Sequence, residues 1–412
     1  MDNRTKERYS RNIQRIANGT IGQMTSEYDF DFYNDIYSTA FCNFDETDKR
    51  YIGTYCVMIP DEIIYALGYT PLRMCAGHQI PALVGDEMIP RDACPLIKAS
   101  AGFQAMKVLP MYNQCELAIM PMTCEVKRKS VEVLSKHLPV IPVPISMSKS
   151  NSSFEDTVSV IIGLIKTLEI QTETKITSKA LQQACLDINK AQKQAYKLQR
   201  KLYSEHPQIK GSEVMYALNS FIYTNPHEWE VATRTLLEEI EEREENPKVP
   251  KRQKPRVFIA GSPVSFPNYK VPFMIEELGA QIVGDESCLS GRLLYDPVVP
   301  MDFSKTSMIR ALAARYIAAC TCPVFDNVED RIASLKTRLD ETGAEGIIYH
   351  VLRGCVPYDF ELSAIEDWAE KEKVPLLRVE TDFSTEDVEQ IKIRFEAFVE
   401  MIDQRRRQNK KG

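Results

Sequence analysis

Eleven cysteines stand in the 412-residue chain, and eight of them fall where a sequence of this kind could do chemistry. Cys56, Cys75, Cys94 and Cys124 lie in the first half, and Cys288, Cys320, Cys322 and Cys355 in the second. Each comes just after a predicted strand or just before a predicted helix. In doubly wound sheets, ligands bind outside the carboxyl ends of the strands. Each half therefore offers up to four thiols from its functional edge. Cys94 precedes Pro95, Cys124 precedes a helix and Cys322 precedes Pro323. A helix start presents free N–H groups and partial positive charge, which favours the thiolate that binds metal. The same N–H groups can bond to cluster sulfides and tune a potential. Zinc sites usually show paired cysteines two to four residues apart, and no CxxC occurs here. Isolated thiols on separate loops, converging from two domains, suit an iron–sulfur cluster better. Cys42, Cys115 and Cys185 lie elsewhere and read as small buried residues.

The remaining chemistry is sparse. No GxxxxGK[ST] occurs, so the chain should not bind ATP through a P-loop, and no GxGxxG supports a nicotinamide site. Gly261-Ser262-Pro263 is a generic strand end. The histidines, His78, His137, His206, His227 and His350, lack HExxH spacing and read as surface or packing residues. Net charge is -7 with both signs interleaved, which argues against a nucleic-acid partner. No run of 18 apolar residues suggests a membrane span, and the start MDNRTKERYSRN lacks a signal core. A cytoplasmic location follows as an expectation, with the cysteines reduced rather than paired.

These thiols need elements to carry them. From residue 51, strands and helices alternate: strand Tyr51–Met58, helix Asp61–Leu67, strand Pro71–Cys75, helix Pro95–Val108, strand Cys115–Met120, helix Glu125–His137 and strand Pro139–Ile145. The alternation restarts with strand Val257–Ala260, a helix at 270–278, strand Ala280–Gly284, helices at 306–319 and 328–340, strand Gly346–Val351, helix Phe360–Lys371, strand Pro375–Val379 and a helix at 385–405. Strands separated by helices pair in parallel, so two doubly wound, flavodoxin-like α/β domains are expected. The divisions are a helical extension over 1–50, a first α/β domain over 51–150, a helical insertion over 151–245 and a second α/β domain over 256–412. Glu245–Arg256, rich in Pro and Lys, reads as the linker. The insertion is expected to shape the substrate pocket. Arg73, Lys98, Arg292 and Arg353 lie near the cysteines in sequence and are expected to balance cluster charge.

At these residues the chain resembles the 2-hydroxyacyl-CoA dehydratase and benzoyl-CoA reductase family. The matching segments are GTYCVMIPDEIIYALGYTPLRMC (53–75), IPRDACPLIKASAGF (89–103), PMTCEVKRK (121–129), GDESCLSGR (284–292), AACTCP (318–323), RGCVPYDFE (353–361) and PLLRVETDFSTEDVEQIKIRFEAF (375–398). The likeness covers the chain from about residue 50 onward. Within the family it is nearer to the double-cubane cluster proteins. The dehydratases share counterparts of Cys94, Cys124 and Cys355, which look like the ligands of one cubane. Cys56, Cys75, Cys288, Cys320 and Cys322 are extra. The resemblance implies an [8Fe–9S] double cubane, with a single [4Fe–4S] cluster as the alternative. Which of the five extra thiols ligate stays open, with the Cys320/Cys322 pair contributing one. Glu125 stands where the family usually has Asp.

The resemblance further implies an electron donor: a separate dimeric, ATP-hydrolysing [4Fe–4S] protein of the activator type. The expected function is then an oxygen-sensitive, homodimeric, low-potential reductase component acting on a small molecule. One rival is an (R)-2-hydroxyacyl-CoA dehydratase component with one cubane and a non-identical partner chain. A second is an electron carrier or assembly protein, and a third a metal-free protein with structural cysteines.

Overall fold

A computed structural model describes residues 2–44, 48–249 and 253–409. Helices α1 (Asn3–Gln23) and α2 (Asp31–Phe41) come first. The first alternating segment holds β1 (Tyr51–Thr54), α3 (Asp61–Ala66), β2 (Thr70–Arg73), α4 (Gln79–Gly85), α5 (Pro95–Met106), α6 (Pro110–Asn113), β3 (Cys115–Met122), α7 (Glu125–Leu134) and β4 (Val140–Pro144). Four helices follow, α8 (Asn151–Gln171), α9 (Ser178–Arg200), α10 (Gly211–Ser220) and α11 (Pro226–Glu244). The second alternating segment holds β5 (Arg256–Gly261), α12 (Lys270–Glu277), β6 (Gln281–Asp285), α13 (Lys305–Ala313), α14 (Val328–Thr342), β7 (Gly346–Leu352), α15 (Val356–Lys371), β8 (Leu376–Thr381) and α16 (Val388–Asn409). Of the expected linker, Pro250, Lys251 and Arg252 lie outside the described residues.

Two parallel sheets result, ordered β2-β1-β3-β4 and β6-β5-β7-β8. The expected α/β architecture is therefore the one the chain adopts, with the same strand order in both halves. In each sheet the order reverses beside the central strand, between β1 and β3 and between β5 and β7. That reversal opens a crevice at the carboxyl end. β1, β5 and β7 are buried along their whole length, as strands covered by helices on both faces must be.

Four boundaries that move a cysteine differ from the sequence reading, one of them the end of β2, which stops at Arg73 and leaves Cys75 beyond the strand. β1 stops at Thr54, because Pro60 and the start of α3 leave Tyr55–Ile59 to make the turn. Cys56 thereby sits beyond the sheet rather than in it. α15 begins at Val356, not Phe360, since Pro357 is at home in a first turn. Cys355 thus becomes its N-cap. The helix expected over 306–319 is α-helical only to Ala313 and widens into a π-turn over Ala314–Ala318, with Ala319 N–H bonding to Ala314 O at 2.9 Å.

The central helices join the halves. α9 packs on α3 and α11, α8 on β4 and α13, and α10 on β6 and α2. Trp229 of α11 is fully buried, and its indole N–H donates to Ala217 O at 3.0 Å.

Candidate metal centre

The eight singled-out cysteines all line one cavity of about 670 Å³. Cys56 reaches it from the turn after β1, Cys75 from the residue pair after β2, and Cys94 and Cys124 from the N-caps of α5 and α7. Cys288 comes from the loop after β6, Cys320 and Cys322 from the loop after the π-turn, and Cys355 from the N-cap of α15. The carboxyl edges of both sheets therefore supply the walls. Cys42, Cys115 and Cys185 are not among the lining residues. Much of the remaining wall is apolar, including Leu96, Ile97, Leu289, Val324, Phe325 and Phe360.

The two halves meet closely because Gly354 permits it. Gly354 has φ 76°, and a Cβ there would lie 2.1 Å from Asp92 O, two residues before Cys94. Only glycine tolerates both the left-handed backbone and that approach. Gly354→Ala should destabilise the fold by about 2 kcal/mol or more, since the conformation is strained and the neighbour is backbone. Urea unfolding measures this, and an unchanged midpoint would show that the contact does not set the Cys94–Cys355 spacing.

Burial dominates the thiol acidities. It pushes Cys75 up to about 12 and raises Cys124, Cys288, Cys320 and Cys322 as well. Cys94 and Cys355 stand against each other. Contact with Cys355 and the first-turn amides of Leu96 and Ile97 bring Cys94 down to about 7, against its burial, while Cys355 is pushed up in return. At Cys56 burial acts upward too, but the Lys127 ammonium, the Met58 amide and Arg73 outweigh it and lower the thiol. Lys127 itself is held charged: burial disfavours the ammonium, and Cys56, Cys124, Cys75 and Cys322 more than restore it. Its Nζ donates to Thr123 Oγ1 at 3.0 Å.

Of the four cations expected near the thiols, only Arg292 lines the cavity. Arg73 is buried behind it in an ion pair with Asp61 at 3.0 Å. Lys98 pairs with Asp86 at 2.9 Å, and Arg353 turns outward toward Glu380 and Asp382. Lys127 was the cation the sequence reading missed. The available signal was its place three residues after Cys124, one turn along the same helix face. The helical segment 151–245 contributes no lining residue, contrary to expectation. Its helices pack on α3, β4 and β6 and support the wall from outside, as where Asn219 of α10 donates to Leu289 O at 3.1 Å. Two buried histidines also have local partners. His78 caps α4 by accepting from Ile80 N–H at 3.1 Å, and His350 Nδ1 meets Ser262 O at 2.9 Å.

Among the described residues, no three His, Cys, Asp or Glu side chains close around a single ion. The thiols surround a space instead of a point. That donor set suits a group several atoms across. It offers soft sulfur ligands, helix N-termini, and two cations to offset negative charge. Among the described residues, no helix is long and apolar enough to cross a membrane.

Two like-ordered parallel sheets, with their carboxyl edges turned onto one thiol-lined cavity, define a double α/β protein with a candidate site between the sheets. The chain belongs to the 2-hydroxyglutaryl-CoA dehydratase D-component family, whose sequence profile matches residues 56–402. That span holds all eight cavity cysteines. YjiM of Escherichia coli strain K12, named as a candidate dehydratase subunit, is 27% identical over 387 residues, covering 90% of this chain and 97% of its own. The (R)-phenyllactyl-CoA dehydratase beta subunit of Clostridium sporogenes is 21% identical, covering 87% of this chain and 93% of its own. The lactoyl-CoA dehydratase subunit beta of Anaerotignum propionicum is 23% identical with the same coverages.

Proposed function

We propose that this chain is an iron–sulfur component of a 2-hydroxyacyl-CoA dehydratase-type system. The observation that carries the reading is the convergence of eight thiols from both sheets on one largely apolar cavity. The named relatives favour acyl-CoA dehydration over the reductase action expected from the extra cysteines. Their subunit names also favour assembly with a second, non-identical chain over a homodimer. A bound cluster would supply one-electron transfer to a substrate beside it. The chain's own residues would hold it. Thiols from the α5, α7 and α15 N-termini would ligate it, Lys127 and Arg292 would offset its charge, and the apolar walls would exclude water.

One observation keeps the double-cubane reductase as a second reading. A single cubane takes about four ligands, and eight thiols line the cavity. Strictly anaerobic purification followed by iron and acid-labile sulfide assays separates the two, with about four irons per chain for a cubane and about eight for a double cubane. Stoichiometric zinc without iron would overturn both. Turnover of (R)-2-hydroxyacyl-CoA esters, set against reduction of small unsaturated substrates, then assigns the reaction.

A further inference from the structure

Beside the thiols of the second half lies a buried charge cluster that reaches the cavity wall at Glu361 and Arg292, and whose central residue the proposed chemistry does not use. Its centre is Arg331 in the first turns of α14, 1% exposed. Its Nη1 donates to Glu286 Oε2 at 2.8 Å, and Nη2 donates to Glu286 Oε1. Its Nε donates to Glu361 Oε2 at 2.5 Å, and Nη1 also reaches Thr321 O at 3.1 Å. Glu361 is fixed in turn by the Tyr349 hydroxyl at 2.9 Å. Arg292 takes the same Thr321 carbonyl from the cavity side at 3.0 Å, and its Nη2 donates to the Tyr358 hydroxyl.

The partners of this one guanidinium are distributed over every thiol-bearing segment of the second half. Glu286 stands two residues before Cys288, Thr321 lies between Cys320 and Cys322, and Glu361 sits in α15 behind Cys355. The Cys320–Cys322 loop has no regular secondary structure to hold it. A buried arginine with two carboxylates is a poor source of net stability, because desolvation offsets the attraction. Arg331 faces two carboxylates of its own, Glu286 and Glu361, so it has no positive charge to spare for the cavity. What it supplies is geometry: a planar fork bonding three segments at fixed angles.

We propose that Arg331 is a positioning residue that sets the spacing of Cys288, Cys320, Cys322 and Cys355 before any cofactor enters. Its importance for the cofactor rests on the function proposed above, while the positioning itself does not. Lysine keeps the charge but cannot span two carboxylates and a carbonyl at once.

The test is the rate at which each cysteine of the metal-free, full-length chain reacts with N-ethylmaleimide, resolved by peptide mass spectrometry. In Arg331→Lys, Cys288, Cys320, Cys322 and Cys355 should react about 10-fold faster or more, through local opening of their segments, while Cys56, Cys75 and Cys124 stay within about 2-fold. A uniform rise over both halves would mean general destabilisation and would overturn the proposal. So would unchanged rates throughout. Should Arg331→Lys not fold, Glu286→Gln removes one arm of the clamp and is judged by the same pattern, with Cys288 leading. Iron content after anaerobic reconstitution is read separately. A wild-type chain that took up no iron would defeat the proposed function and leave the alkylation result standing.

Discussion

Serine at Cys94, Cys124 or Cys355 should strip iron from the anaerobically purified protein and bleach its visible absorption, while serine at Cys42, Cys115 or Cys185 leaves both unchanged. The first three are N-caps of α5, α7 and α15, and all line the cavity. First-turn amides favour the thiolate at each, though contact with Cys94 and burial raise Cys355 and burial raises Cys124, whereas a serine hydroxyl stays protonated and binds soft metals poorly. The loss of iron affinity at each position should exceed the roughly 100-fold that outer-shell partners carry, because each substitution would remove a proposed ligand. Cys115 and Cys185 are buried away from the cavity. Cys42 is half-buried at the end of α2, with its Sγ 3.3 Å from Asn18 Oδ1. Equal iron in the two groups of variants would sink the assignment.

Reduction of the centre should depend on a separate ATP-hydrolysing iron–sulfur protein. The sequence has no phosphate-cradling P-loop of its own. Mixing the two proteins with a strong reductant should reduce the proposed cluster when ATP is present and leave it oxidised when ATP is withheld. The cavity wall includes exposed Val356 and Phe360 beside Cys355, which brings one rim of the cavity to the protein surface. Full turnover by this chain alone, with dithionite and no ATPase, would refute the two-component arrangement and favour an independent reductase or electron carrier.

Legibility along the chain followed the range of the forces involved. Strands such as β5 and β7 are short apolar runs with a glycine at one end, and helix α5 begins at proline. These signals act within a few residues, so the order of elements and the parallel pairing could be read directly. The misplaced ends were those where a neighbouring element competed for the same residues. β1 yielded Tyr55–Ile59 to the turn before α3, and α13 gave way to a π-turn before Cys320. α4 and α6 were missed because seven and four residues are too few for a periodic signal.

The site divides in the same way. Eight cysteines at strand and helix ends were visible because the carboxyl edge of a parallel sheet is fixed by chain direction alone. Which cations face them was not visible. Arg73, Lys98 and Arg353 are near thiols in sequence yet are turned to Asp61, Asp86 and the Glu380–Asp382 edge, while Lys127 and Arg292 face the cavity. The Arg331 clamp joins residues 286, 321 and 361, which no local pattern connects. The sequence by itself therefore determined two parallel sheets and a row of thiols on the edge of each. Tertiary structure decided that the two rows share one cavity, with Gly354 against Asp92 as a contact between them. The direction of a side chain and the docking of two sheets depend on the summed packing of segments hundreds of residues apart, and short-range propensity carries no record of that sum.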